Sequence, residues 1–322
     1  MLILKLIKNM KLRVWHFLFM PKNAANVLNG KRQLTRIAEN FNGADKYFVV
    51  YQYGKSGSSS VFDYFSKAGL TTIHSHNFND KVLKMNELLS LHDAMPRNKI
   101  GSFFFTNARY RTLHAILKNS DKSDIRIFIS LREPEAYLKS MYCQYWDWFS
   151  IMTQDQYKEL TAENFCQFFT DTLMEIEQCI DENPTQSELE KLIVSTQLNV
   201  SARLLLYIIY NYVYWFENEL FSMFDVSETE LKNENNFWSF QNKNIKGVVI
   251  KLEDFDVALN ASLENLMGMP IDKSINQVNV SSDKAYAEYY SFLKANVDVS
   301  NIIINLMKSS FSYKKFYDKD IA

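Results

Sequence analysis

Three short runs of β-branched and aromatic residues show almost no polar alternation, the pattern of strands buried on both faces of a parallel sheet. They are Tyr47-Phe-Val-Val-Tyr51, Ile125-Arg-Ile-Phe-Ile-Ser-Leu131 and Gly247-Val-Val-Ile-Lys-Leu252. Between the first two, the pattern predicts a helix over Ser59–Ala68, a short strand near Leu70–His74 and a helix over Tyr110–Lys118. Strands alternating with helices imply an α/β domain built on a three-layer parallel sheet. Residues 135–235 keep helical periodicity and offer no strand candidate, which predicts a helical insertion, placed at about 141–240, that returns to the sheet near Gly247. Inside it, Leu204–Phe216 is apolar for 13 residues between Arg203 and Glu217. That is too short to span a bilayer and fits a buried core helix.

Charge changes the picture at one end of the chain. Lys+Arg 36 against Asp+Glu 37 gives a net charge of −1 over 322 residues, which argues against a nucleic-acid partner held by bulk charge. Yet all eight charged residues before Glu39 are basic, from Lys5 to Arg36. Residues 1–40 are therefore set apart as a basic amphipathic segment preceding a domain over 41–322. Two readings of residues 1–38 stand: a helix docked on the domain, or an interfacial helix in peripheral contact with an anionic membrane. The run carries too many basic residues for a spanning helix and has no signal-peptide cleavage pattern.

Cys143, Cys166 and Cys179 cannot all pair within one chain, and a reducing, cytoplasmic compartment is the simplest reading. Neither the cysteines nor the five histidines fall at metal-ligand spacings, so no metal is expected.

Two of only eight glycines lie in Gly54-Lys-Ser-Gly57, directly after the first strand, and Ser58-Ser-Ser60 opens the next helix. A tight Lys/Gly turn feeding a hydroxyl-rich helix start is a phosphate cradle: backbone N–H groups and the positive helix end face an anion, and the lysine adds charge. Serines also cap helices, but capping does not account for the glycines or Lys55. A Walker A loop would need its first glycine at position 49, which is Val49 within the strand. The remaining pattern, Lys55 with hydroxyls at Ser58 and Ser59, resembles the 5′-phosphosulfate loop of sulfotransferases, usually Pro-Lys-Ser-Gly-Thr-Thr.

Other segments extend the resemblance. The strand ending at Leu131 runs into Arg132-Glu-Pro134, with Ser140 eight residues after the arginine. Sulfotransferases similarly place an arginine and a serine to hold the 3′-phosphate of 3′-phosphoadenosine 5′-phosphosulfate. Val248–Phe255 is similar to their later strand and Glu-Asp-Leu turn. Tyr51–Ser59, the Arg-Glu-Pro element and Tyr313-Lys-Lys-Phe-Tyr317 resemble a bacterial subgroup of capsular polysaccharide synthesis proteins. The likeness covers roughly residues 46–75, 125–142 and 247–317. It departs at Tyr137, where many members carry a second arginine.

The resemblance implies a sheet of the P-loop/sulfotransferase type. It implies a donor site made of Lys55, Ser56, Gly57, Ser58, Ser59, Ser60, Arg132 and Ser140. The expected activity is sulfuryl transfer from 3′-phosphoadenosine 5′-phosphosulfate to a hydroxyl of a cell-surface or capsular glycan. Lys55 is also the expected charge beside the leaving oxygen. For the base that takes the acceptor proton, His74 and His76 follow the second strand, at the sheet end where ligands bind; Glu87 and Asp93 are alternatives. Tyr142, Tyr145, Trp146 and Trp148 have the composition of a sugar platform, and equally that of a packed helix face. Two other classes stay open: a nucleotide-dependent phosphotransferase, and a non-catalytic nucleotide-binding protein of a glycan assembly complex.

Overall fold

The computed structural model describes residues 43–54, 57–89, 97–119, 123–271 and 284–318, with Thr35, Glu39 and Phe41. Strands β1 (Lys46–Tyr51), β2 (Thr72–Ser75), β3 (Asp124–Leu131), β4 (Lys232–Asn233), β5 (Trp238–Asn242) and β6 (Ile245–Lys251) form one sheet in the order β2-β1-β3-β6-β5-β4. The first four are parallel, and β4, β5 and β6 are joined antiparallel. The molecule is therefore α/β with a mixed, mostly parallel sheet.

Alternation along β1 splits the apolar core in two. Tyr47, Val49 and Tyr51 face a large aromatic cluster shared with Ile125, Ile127, Ile129 and the long helices. Phe48 and Val50 face the other side, against Val61 and Phe65 of helix α1 (Ser58–Lys67) and Ala258, Leu263 and Leu266 of a late helix (Phe255–Met267). Apolar layers on both faces are what an unalternating strand sequence requires.

After β2 come α2 (Asp80–Leu89) and α3 (Arg97–Lys118). After β3 come α4 (Pro134–Gln144), α5 (Trp146–Tyr157), α6 (Ala162–Glu177), α7 (Gln186–Val194) and α8 (Val200–Trp215). The apolar run expected as a core helix is α8, whose side chains are buried except at Val200 and Tyr214. It continues as a π-helix over Phe216–Phe221. Beyond β6 lie α9 (Phe255–Met267), α10 (Ala287–Asn296), α11 (Asn301–Lys308) and α12 (Phe311–Phe316). Among the described residues no helix is long and apolar enough to cross a membrane.

Two expectations need correction. The sheet is not wholly parallel, and the supposedly strandless stretch contains β4 and runs into β5. The hairpin signal was weak because the β5–β6 turn, Lys243-Asn244, has no glycine; Lys243 takes the left-handed backbone itself at φ 52°. The aromatic residues after Ser140 also divide between two helices, with Tyr145 at the junction. Tyr142 is fully buried among Phe149, Phe165 and Phe169, and Trp146 packs on Phe165 and Tyr289.

Candidate functional site

The connection from β1 goes to β2 on one side, and the chain then crosses back to β3 on the other. The reversal falls at the carboxyl ends of β1 and β3, the usual ligand position in an open α/β sheet. Gly54 and Gly57, which follow β1, and Arg132, which follows β3, lie there. Lys55 and Ser56 lie outside the described residues, as do Asp93 and all of residues 1–38 except Thr35.

The two glycines flanking Lys55 are required by backbone and packing alike. Gly54 has φ 106° and Gly57, the N-cap of α1, has φ 82°, both left-handed. Helix α4 presses on the first: a Cβ on Gly54 would stand 3.2 Å from the Met141 sulfur, next in sequence to the buried Ser140. The turn after β6 presses on the second, since a Cβ on Gly57 would come within 2.8 Å of both Leu252 and Phe255. No side chain caps the start of α1 at Gly57.

Arg132 is fixed by its neighbours in sequence. Pro134 begins α4 and the Glu133 carboxylate accepts from Ala136 N–H at 2.9 Å, so the chain turns directly after the arginine. Arg132 N–H donates to the Tyr53 hydroxyl at 3.1 Å, while Tyr212 donates to the Arg132 carbonyl at 3.2 Å. Its guanidinium donates to the Tyr290 hydroxyl at 3.0 Å. Tyr137 is fully buried, edge-on to Tyr53.

Glu253 ties three distant segments together: it accepts from Glu133 N–H and from the Tyr317 hydroxyl, each at 2.9 Å. The Arg-Glu-Pro element, the Glu-Asp turn and the Tyr-containing end therefore meet at Glu253, next to the Arg132 turn.

Gln52, just before the turn, organises the rest. Its amide N–H donates to Ser58 Oγ, and its amide oxygen accepts from Ser130 Oγ at 3.2 Å. Ser58 Oγ also lies 3.1 Å from His74 Nε2. Ser58 thus bridges Gln52 and His74, the direction of the second bond being set by the His74 tautomer. Ser59 and Ser60 follow on the first turn of α1, where Ser60 is buried.

His76 lies the other way round. Its Nδ1 is 3.0 Å from the Gln52 carbonyl, which can only accept, so Nδ1 carries the proton. Among the described residues nothing engages Nε2. Burial pushes the His74 pKa down to about 3, helped by His76 and Arg109, and burial lowers His76 against the raising effect of its bond to Gln52. Both rings are neutral at pH 7; the proton on Nδ1 leaves His76 Nε2 as an acceptor nitrogen, whereas His74 Nε2 is engaged by Ser58. Glu87, an alternative base, is engaged by Arg111 at 2.6 Å, and Arg111 also bonds Asp80 at 2.8 Å.

The segment carrying His76 is anchored from α8 and the π-helix. Trp215 Nε1–H donates to the His76 carbonyl at 2.9 Å. The buried Glu219 carboxylate accepts from the Tyr51 hydroxyl, from Phe78 N–H at 2.7 Å and from Asn79 N–H at 3.0 Å. Burial raises the Glu219 pKa to about 7 despite these three donors, which lower it. A π-turn inside a helix often marks a functional position.

Sequence reading missed the roles of Gln52, Ser130, Glu253 and Glu219. Gln52 stood inside the Tyr-Gln-x-Gly pattern, which was signal enough to name it. Among the described residues no group of three or more His, Cys, Asp or Glu side chains is placed to hold a metal ion, and Cys143, Cys166 and Cys179 are all free. No protein-family model matches the chain, and no curated protein or solved structure matches it either.

Proposed function

We propose that the chain is a sulfotransferase of the P-loop-like type, moving a sulfuryl group from 3′-phosphoadenosine 5′-phosphosulfate to a hydroxyl of a cell-surface or capsular glycan. The observation that carries this reading is the junction of the Gly54–Gly57 turn with Arg132 at the carboxyl ends of adjacent parallel strands, stapled by the Tyr53–Arg132 bond. The N–H groups opening α1 and Lys55 meet the 5′-phosphosulfate. Arg132 meets the 3′-phosphate with a planar guanidinium, with Ser140 on the helix that follows.

In the reaction His76 Nε2 takes the proton of the acceptor hydroxyl as its oxygen bonds to sulfur. The bond from sulfur to the bridging phosphate oxygen breaks in line, and 3′-phosphoadenosine 5′-phosphate leaves with its new charge beside Lys55. His74 holds Ser58 and so the first turn of α1.

Titration with 3′-phosphoadenosine 5′-phosphate and with ATP tests the reading. Preference for the former, lost about tenfold or more in Arg132→Ala, supports it. Preference for ATP supports a phosphotransferase instead. Tight nucleotide binding without transfer to any glycan supports a non-catalytic role.

A further inference from the structure

We propose that Tyr290 belongs to the donor site, its phenol and the Arg132 guanidinium acting as one unit on the 3′-phosphate of the nucleotide. The inference rests on the sulfotransferase reading for the identity of that phosphate, and it adds a recognition residue from a helix that none of the sequence motifs names.

Three tyrosines from separate parts of the chain hold Arg132, and they do different things. Tyr53, after β1, accepts from Arg132 N–H at 3.1 Å, and Tyr212, on α8, donates to the Arg132 carbonyl at 3.2 Å. Both fix the backbone. Tyr290, on α10, instead accepts from the guanidinium, its hydroxyl 3.0 Å from Nη2. A phenol that accepts a bond keeps its own O–H to donate. Among the described residues that O–H has no acceptor, whereas Tyr212 has spent its proton on the Arg132 carbonyl. A cation that donates to a hydroxyl also polarises it, which strengthens the O–H as a donor. The pair therefore offers an anion a planar cationic fork with a neutral donor at its edge, which suits the several acceptor oxygens of a phosphate monoester.

Packing holds the phenol in register with the guanidinium. Tyr289, next to it, donates to the Leu160 carbonyl at 3.2 Å, and its ring packs on Trp146 and Phe165 with centroids 4.5 and 5.6 Å away. Tyr286 and Leu293 are buried on the same helix. Helix α10 packs on α6 and on α4, and α4 begins two residues after Arg132 and carries Ser140. Tyr290 itself is half-buried, which leaves it within reach of a ligand. An arginine side chain has many rotamers, so a partner that holds it in one geometry before the ligand arrives removes part of the ordering cost of binding. The 5′ end of the nucleotide has the same phosphate chemistry, and the experiment separates the two ends.

The full-length protein is titrated calorimetrically with 3′-phosphoadenosine 5′-phosphate and with adenosine 5′-phosphate, which lacks only the 3′-phosphate. The wild type is expected to prefer the first. Tyr290→Phe keeps the ring and its packing but removes the hydroxyl. It should lose about tenfold or more in affinity for the first nucleotide and less than about twofold for the second. Made in the Arg132→Ala background, the same substitution should cost less than about threefold, because phenol and guanidinium act together. Unchanged affinity for 3′-phosphoadenosine 5′-phosphate in Tyr290→Phe overturns the proposal, and so does the full loss repeated in the double variant. Equal losses for the two nucleotides overturn it as well, since the phenol would then serve the 5′ end or only the fold. A wild-type preference for the 3′-phosphate that depends on Arg132 and survives Tyr290→Phe leaves the sulfotransferase reading standing without Tyr290. Equal binding of the two nucleotides by the wild type removes that reading and the proposal together.

Discussion

His76 donates its Nδ1 proton to the backbone carbonyl of Gln52 across 3.0 Å, and Gln52 is the residue whose side chain also bonds Ser58 and Ser130. One residue thus sets the tautomer of the candidate base and joins the ends of β1 and β3 to the start of α1. His74 points its Nε2 back into that network, whereas His76 leaves its Nε2 outside it.

The two histidines should therefore fail differently. His76→Ala is expected to lower turnover by ~100-fold to 10,000-fold with nucleotide affinity kept within twofold. His74→Ala should instead lower thermal stability and nucleotide affinity together, because Ser58 loses its partner at the first turn of α1. Because burial depresses the His76 pKa, the acid limb of the wild-type pH–rate profile should fall below the ordinary histidine range. Full activity in His76→Ala would move the base elsewhere.

Gln52→Leu removes both side-chain bonds, one from each of the buried Ser58 and Ser130 hydroxyls. A loss of stability of ~0.5–1.5 kcal/mol for each hydrogen bond removed is expected in urea unfolding. The same variant should weaken nucleotide binding, since the helix start that faces the phosphates is no longer held to β3. A variant of wild-type stability would show that water replaces the amide at no cost.

How much of this was legible depends on distance along the chain. Three of the four parallel strands, β1, β3 and β6, were readable as continuous apolar runs, the short β2 only from its place between two helices, and the Gly54–Gly57 turn because glycine is rare here. The Arg132 turn was readable from Glu-Pro, which starts a helix by local chemistry alone. What failed was long-range or unsignalled: the β5–β6 hairpin turns without glycine, and Gln52 joins Ser58 to a partner 78 residues away. Glu219 gave no local signal either, because its role depends on Tyr51, 168 residues earlier. The aromatic run after Ser140 misled because core packing and a sugar platform use the same residues.

Gly57→Ala should be costly for two separable reasons. The backbone at φ 82° disfavours any L side chain, and the new methyl would meet Leu252 and Phe255 at 2.8 Å. Together they should lower stability by ~1–3 kcal/mol in chemical denaturation and shift the turn enough to weaken nucleotide binding. Gly69→Ala serves as the control: its φ of 74° is also left-handed, yet nothing lies within 4 Å of the added carbon. Equal losses in the two variants would mean that backbone strain alone acts and that the contact with the β6 turn is immaterial.

Glu219 sets the pH dependence of stability on the alkaline side. Its pKa rises from 4.5 in the unfolded chain to about 7 in the folded protein, so between those values the native state holds the proton more tightly. The associated stability is fully present below pH 4.5 and is lost as pH rises through 7, a loss of about 3 kcal/mol at 1.36 kcal/mol per unit. His74 works in the opposite direction: its pKa falls from 6.5 to about 3 on folding, so its contribution is present above pH 6.5 and lost toward pH 3. Glu219→Gln removes the first effect while its amide oxygen still accepts from Tyr51, Phe78 and Asn79. Unfolding of wild type and variant in urea at pH 5 and pH 8 is the measurement. The variant should lose less stability than wild type between the two, and its own acid-side loss should persist because His74 is untouched. Parallel pH dependences in the two proteins would mean that the native carboxyl titrates near its unfolded value, and that its three donors fully offset the cost of burying the charge.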